Sequence, residues 1–79
     1  MQLRLPDLSE GAEDAVITLW HAGETDRVIK GKDLVEVTTD KATFDIPVPC
    51  DGILVKIFKK KGEKVKTGED MAEIQEDRS

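Results

Sequence analysis

A single cysteine, a single histidine and a shortage of positive charge narrow what this chain can be before any motif is read. Cys50 has no second cysteine to pair with, so no internal disulfide braces the fold, a composition that suits a reducing compartment. His21 has no second histidine or cysteine at metal-ligand spacing, and no metal site is expected. Twelve basic residues against seventeen acidic ones leave a formal charge of −5, the wrong sign for gripping phosphates, so nucleic acid is not an expected partner. The one basic run, Lys59-Lys60-Lys61, reads as a solvated turn or edge segment, where lysines discourage strand-to-strand aggregation. No apolar stretch approaches a membrane span, and residues 1–6 lack the apolar core of a signal peptide. A soluble intracellular domain without a membrane partner is expected, cytoplasmic, or in the mitochondrial matrix if the source is eukaryotic. Seventy-nine residues make one domain with a thin core and little room for a deep active-site pocket. No nucleophile–base pair, metal cluster or phosphate loop is visible, so a stand-alone enzyme is the least favoured reading.

What the chain does have is a repeat. The two halves align without a gap at an offset of 37 residues, which sets Gly31 on Gly68, Val28 on Val65, Asp33 on Asp70 and Glu36 on Glu73. The same offset sets Val16 on Ile53, Leu34 on Met71 and Val37 on Ile74. Two related units that each expose an apolar face can bury those faces against one another. Helix signals are weak, because β-branched residues and glycines interrupt any 3.6-residue stripe. Strands are expected at 2–5, 15–20, 27–29, 34–38, 44–48, 52–59, 64–66 and 71–75. Phe44, Ile46 and Val48 alternate with Asp45 and Pro47, the pattern of one wet and one buried face. The run 53–58 is apolar on both sides, as in a strand near the centre of the core. Pro47 and Pro49 place their stretch at an edge or corner, since proline donates no ladder hydrogen bond. The predicted fold is all-β, a flattened barrel or sandwich of two four-stranded antiparallel sheets with an internal two-fold.

The repeat also isolates one lysine. The first half ends in Thr39-Asp40-Lys41 at the middle of the chain, the second in Glu76-Asp77-Arg78. A two-fold sends those places to opposite ends of the molecule, so Lys41 is expected far from both termini. Lys41 lies in a short polar tip between two β-rich runs, which reads as a hairpin. A lysine held in water there is a poor catalytic base, because burial is what tunes such a group. It is well placed for a modifying enzyme to find its amine. Trp20 aligns with Ile57 and reads as core. Cys50, beside Pro49, reads as a bystander.

The stretch Glu36-Val37-Thr38-Thr39-Asp40-Lys41-Ala42-Thr43-Phe44-Asp45-Ile46-Pro47 resembles the lipoylation site of the acyltransferase component of 2-oxo acid dehydrogenase complexes. The opening Leu5-Pro6-Asp7-Leu8-Ser9-Glu10-Gly11 is similar to that family's Leu-Pro-Asp-Leu-Gly-Glu-Gly, and Trp20 and Gly52 fall where the family has Trp and Gly. The resemblance covers essentially the whole chain. It implies a lipoyl domain over residues 1–75, with 76–79 a tail or the start of a linker to further domains. It implies lipoic acid joined through an amide to Lys41, with Asp40 and Ala42 flanking it. The arm would carry acyl groups and reducing equivalents between a thiamine-diphosphate-dependent 2-oxo acid decarboxylase, the acyltransferase core and dihydrolipoyl dehydrogenase. A lipoate ligase or lipoyl transferase would load it. A five-membered dithiolane cannot reach the torsion near 90° that a relaxed disulfide prefers, which makes the ring easy to open. The domain itself would catalyse nothing and would act as a tether that raises the arm's effective concentration at each active site. The isolated domain is expected to be a monomer.

Further sites follow from the same resemblance. Thr38 stands where the family often has Glu for ligase recognition, and Gly52 is a candidate for ligase recognition or hairpin geometry. Thr25 stands where the family often has Gly, with the glycine here two residues earlier at Gly23. The acidic loop with Glu10, Glu13 and Asp14 is a plain solvated connection or, by the resemblance, a surface by which the decarboxylase chooses its partner. Three alternatives share the fold. A biotin carrier of a carboxylase typically has Met on both sides of its lysine, a glycine-cleavage carrier is normally longer, and an unmodified binding module would dock partners by its surface alone.

Overall fold

The computed structural model describes residues 1–7 and 14–77, and eight strands follow one another along them. They are β1 (Gln2–Arg4), β2 (Asp14–Trp20), β3 (Arg27–Val28), β4 (Asp33–Thr38), β5 (Thr43–Pro47), β6 (Gly52–Ile57), β7 (Lys64–Lys66) and β8 (Asp70–Glu76). They pair into two four-stranded antiparallel sheets, ordered β1-β8-β6-β3 and β5-β4-β2-β7, as the repeat predicts. Each sheet turns one face inward. Ile17, Leu34 and Val37 from one meet Leu54, Met71 and Ile74 from the other in a single buried cluster. Truncating one of the larger of these to Ala removes about 2–5 kcal/mol, a large share of what a small domain has.

The residues explain the strands. In β5, Ile46 is buried and Asp45 and Pro47 are exposed, and the strand is an edge, where proline is tolerated. In β4, Leu34 and Val35 are both buried, which strict alternation forbids. The register shift between Asp33 and Val35 resolves this, because a bulge turns one residue back to the same face. Met71 and Ala72 in β8 repeat the arrangement: both are buried, and Met71 is skipped between the pairs Leu3–Ala72 and Arg4–Asp70.

One expectation fails. The run 53–58 is not buried on both sides: Val55 and Phe58 are 42% and 43% exposed, and β6 ends at Ile57 rather than 59. β6 is an inner strand of its sheet, but that sheet has only one covered face, and a register shift after Leu54 places Val55 in a bulge. The last strand runs to Glu76, and Asp77 still donates its amide to the Asp51 carbonyl at 2.9 Å.

The two-fold extends to individual bonds. The β2–β4 register (Val16 on Thr38, Ile17 on Val37, Leu19 on Glu36, Trp20 on Val35) is reproduced 37 residues later between β6 and β8. Strands β1 and β5 obey the symmetry at a different offset, 43 residues. Gly68 donates to the Leu5 carbonyl at 2.8 Å as Gly31 donates to that of Val48 at 3.0 Å. The six-residue difference falls between β1 and β2, where the acidic loop is inserted.

Candidate functional site

The β4–β5 hairpin closes where Thr38 pairs with Thr43, leaving Thr39, Asp40, Lys41 and Ala42 as its tip. The tip is held by its own backbone and one hydroxyl. The Thr39 amide donates to the Ala42 carbonyl at 2.8 Å. The Thr39 hydroxyl accepts from the amides of Lys41 and Ala42, each at 3.2 Å, and lies 3.2 Å from the Ala42 carbonyl, to which it donates. Thr39 is 9% exposed, so these bonds are sheltered from water, each with a net contribution of about 0.5–1.5 kcal/mol. A threonine two and three residues before the amides it caps is a known turn device. The order Thr-x-Lys-Ala permits it without demanding it, and the sequence singles out the neighbouring Thr38 instead.

Thr38 has a different duty. Its hydroxyl lies 2.7 Å from that of Thr18 on β2 and 3.3 Å from that of Thr43 on β5, a row of hydroxyls across three strands beneath the tip. Asp40, Lys41 and Ala42 are exposed. Among the described residues the Lys41 ammonium has no ion-pair partner. The result is an exposed primary amine on a tip whose Thr39, Lys41 and Ala42 amides are all hydrogen-bonded. An amide-linked prosthetic group fits this place, because Lys41 is exposed and has no ion-pair partner among the described residues that attachment would displace.

Two other expected positions separate. Asp14 is exposed and opens β2 opposite Lys66, two residues beyond the Val16–Thr38 pair on the side of the lysine tip. Glu10 and Glu13 lie outside the described residues. Gly52 is not part of the hairpin. It starts β6 in the other sheet, beside Val28 and Glu76, past the far end of β5. A Cβ there would stand 2.1 Å from the Gln75 carbonyl oxygen, so the residue is set by the close approach of β6 and β8. The same end holds Met1 and Asp77, the first and last of the described residues. Met1 exchanges backbone bonds with Ile74, and Asp77 bonds to Asp51. Lys41 is separated from them by the length of β5, about 17 Å of strand.

Three remaining residues are structural. Trp20 is half-buried against the core and its indole donates to the Lys59 carbonyl at 2.8 Å. Cys50 is buried with its sulfur 3.5 Å from that of Met1, and burial, helped by the charge of Glu76, pushes the thiol up and away from thiolate chemistry. Thr25 has a φ of 78°, the left-handed region, so this threonine, and not Gly23, holds the special backbone position. The alignment of Thr25 with Gly62, whose φ is 91°, could have revealed it from the sequence.

The chain is similar to known proteins over nearly its whole length. Residues 1–74 match the biotin–lipoyl family model, described as "Biotin-requiring enzyme". The succinyltransferase component of the 2-oxoglutarate dehydrogenase complex of Rickettsia felis is 37% identical over 96% of this chain, and the match occupies 19% of that protein. The lipoyl domain of the 2-oxoglutarate dehydrogenase complex of Azotobacter vinelandii superposes with a TM-score of 0.79 at 25% identity, covering 96% of each chain. The lipoyl domain of the Escherichia coli dihydrolipoyl succinyltransferase superposes with a TM-score of 0.76 at 32% identity, covering 98% of this chain and 96% of that one.

Proposed function

This chain belongs to the biotin–lipoyl family, and from that premise we propose that it is a lipoyl carrier domain whose arm is attached at Lys41. The observation that carries the reading is the exposed amine of Lys41 on a tip fastened by Thr39. When bound, lipoic acid supplies a redox-active dithiolane that accepts an acyl group and electrons. The chain's own residues position it. Thr39 fixes the tip, the hydroxyl row of Thr18, Thr38 and Thr43 ties the tip to the sheet, and the length of β5 keeps the arm clear of the termini. Asp40 and Ala42 flank the lysine where a biotin carrier typically has methionines, which favours lipoyl over biotin.

The chain spans about a fifth of the relatives it matches, so the larger assembly is part of the proposal. We place the domain in the acyltransferase component of a 2-oxo acid dehydrogenase complex, with 2-oxoglutarate as the acid its relatives' names favour, in the cytoplasm of a bacterial cell. Its partners are then the decarboxylase, the acyltransferase core, dihydrolipoyl dehydrogenase and a lipoate ligase. Asp14, on the lysine side of the sheet, supports a role for Glu10, Glu13 and Asp14 in meeting the decarboxylase through charge.

Intact mass after co-expression with lipoate ligase and lipoate tests the reading. One lipoyl addition to the parent chain and none to Lys41→Arg is the expected result. An addition that survives in the variant, or no addition with any lipoyl-attaching enzyme, refutes attachment at Lys41. Charge reversal at Glu13 and Asp14 in the loaded domain should slow acylation by the decarboxylase at low salt; an unchanged rate removes that surface from the proposal.

A further inference from the structure

The two halves cover the core differently at one place. A cleft of about 190 Å³ lies between the end of β2 and the β3–β4 turn, floored by the buried side chains of Val28, Leu34 and Val48. Its rim includes Ala22, Ile29 and Lys32. At the equivalent positions of the second half stand Lys59, Lys66 and Glu69. There the Lys59 side chain crosses to Glu69, with its ammonium 3.5 Å from the carboxylate. In the first half both members are replaced. Ala22 has no stem to lay across the floor, and Lys32 puts a positive charge where the mate has a negative one. The Lys32 ammonium has no ion-pair partner among the described residues.

We propose that this cleft docks a glutamate side chain presented by an acidic segment of a partner protein. The missing stem leaves space over an apolar floor, and the inverted charge at Lys32 asks for a carboxylate at the end of a short aliphatic chain. The occupant would thus rebuild the Lys59–Glu69 arrangement with the signs exchanged. Of the other charged residues lining the cleft, Arg27 is already paired with Asp77 and Asp33 is a carboxylate, so Lys32 is the unpaired cation, among the described residues, that an occupant meets. The volume is below the ~300–1,000 Å³ usual for small-molecule pockets and close to the ~150 Å³ that accommodates one ring-sized group, which suits one side chain of a peptide. The cleft lies at the end of β4 away from the lysine tip, so its occupant leaves Lys41 free. The inference does not depend on lipoylation and is tested on the unmodified chain.

The test is a titration of the 15N-labelled chain with the blocked peptide acetyl-Ala-Glu-Ala-amide at low salt, with acetyl-Ala-Gln-Ala-amide as control. Saturable shifts confined to the amides of Ala22, Ile29 and Lys32 and their neighbours are expected with the Glu peptide and not with the Gln peptide. The double variant Ala22→Lys/Lys32→Glu, which transplants the closing bridge of the second half, should lose those shifts while keeping its thermal midpoint. No saturable shift at the cleft, an equal response to the Gln peptide, or an undiminished response in the double variant overturns the proposal. Tighter binding of free glutarate at the same amides would assign the cleft to a small carboxylate instead. Shifts of those amides on concentrating the chain alone would assign it to a second copy.

Discussion

The first and second halves of this molecule have nearly the same backbone and different surfaces. Thr25 donates to the Leu54 carbonyl at 2.7 Å as Gly62 donates to that of Ile17 at 2.8 Å. His21 bonds to Leu34 as Phe58 bonds to Met71, both at 2.8 Å. The carboxylate of Asp26 accepts from Gly23 at 2.8 Å as that of Glu63 accepts from Lys60 at 2.5 Å. These pairs are what closes two sheets on one another, and side-chain identity is free to vary around them. The halves part where the chain meets other molecules. At the first half's end stands the Lys41 tip, and at the second half's end stand Glu76 and Asp77, beside the N-terminus. The β1–β2 connection carries six residues that the β5–β6 connection lacks. The repeat makes the fold, and the departures from the repeat mark the surfaces with other work.

The sharpest way to break the comparison is at the pair Ala15 and Gly52, which face Val65 and Val28 in the same register. Ala15 is buried and carries its Cβ without conflict, whereas a Cβ on Gly52 would meet backbone atoms of Gln75 and Glu76. A backbone carbonyl cannot swing aside as a side chain can. Gly52→Ala is therefore expected to destabilise by about 3 kcal/mol, at the upper end of overpacking effects. Ala15→Gly is expected to lose about 1 kcal/mol, mostly chain entropy. Urea unfolding of both variants measures the difference. Equal losses would mean that β6 and β8 separate easily and that the symmetry is looser than its bonds suggest.

The pair Thr25 and Gly62 gives a smaller effect with opposite signs. Both sit at positive φ, 78° and 91°, with Gly31 and Gly68 forming the second such pair at 90° and 85°. Only Thr25 pays the steric cost of a β-branched residue in the left-handed region. Thr25→Gly is expected to stabilise by about 1 kcal/mol and Gly62→Thr to destabilise by about as much, read from thermal or urea midpoints. A stabilising Gly62→Thr would show that the loop relaxes to another conformation and that the two turns are not equivalent.

Much of this was legible beforehand, for identifiable reasons. Alternation in β5 and the glycine-marked turns set most strand limits to within a residue or two, because burial on one face imposes a period of two. Lys41 stood out because strands flank it and the repeat sets it against Arg78 at the end of the second half, where no second strand follows in the sequence given. What escaped were features outside the period. The bulge at Val55 lets an apolar residue face water, so an apolar run reads as more deeply buried than it is. The offset of β1 and β5 differs from the rest, and three residues of β1 are too few to reveal it. The Thr39 cap depends on the direction of one hydroxyl, which residue order permits but does not demand. The cleft beside Lys32 is a product of two substitutions, Ala for Lys and Lys for Glu, that matter only when the halves are superposed.

The finest distinction between the halves is one of pH. Glu69 accepts the Lys66 amide at 3.0 Å and faces Lys59, and that backbone bond, with the lysine charge, holds its carboxyl below the ordinary 4.5. A carboxyl held low in the folded chain binds its proton less readily than in the unfolded chain. Its stabilising contribution is therefore complete above about pH 4.5 and is lost as pH falls through the lowered folded value. The equivalent Lys32 has no acceptor to offer a backbone amide. Urea unfolding of the parent, Glu69→Gln and Lys32→Gln chains between pH 7 and pH 3 separates the two. The gap between parent and Glu69→Gln should be small, steady from pH 7 to about pH 5, and should close on further acidification. The gap for Lys32→Gln should not follow that course. If both gaps ran parallel, the bridge over the second half would be indifferent to its own charge, and the contrast between the bridged and the unbridged half would rest on the shape of the lysine stem alone.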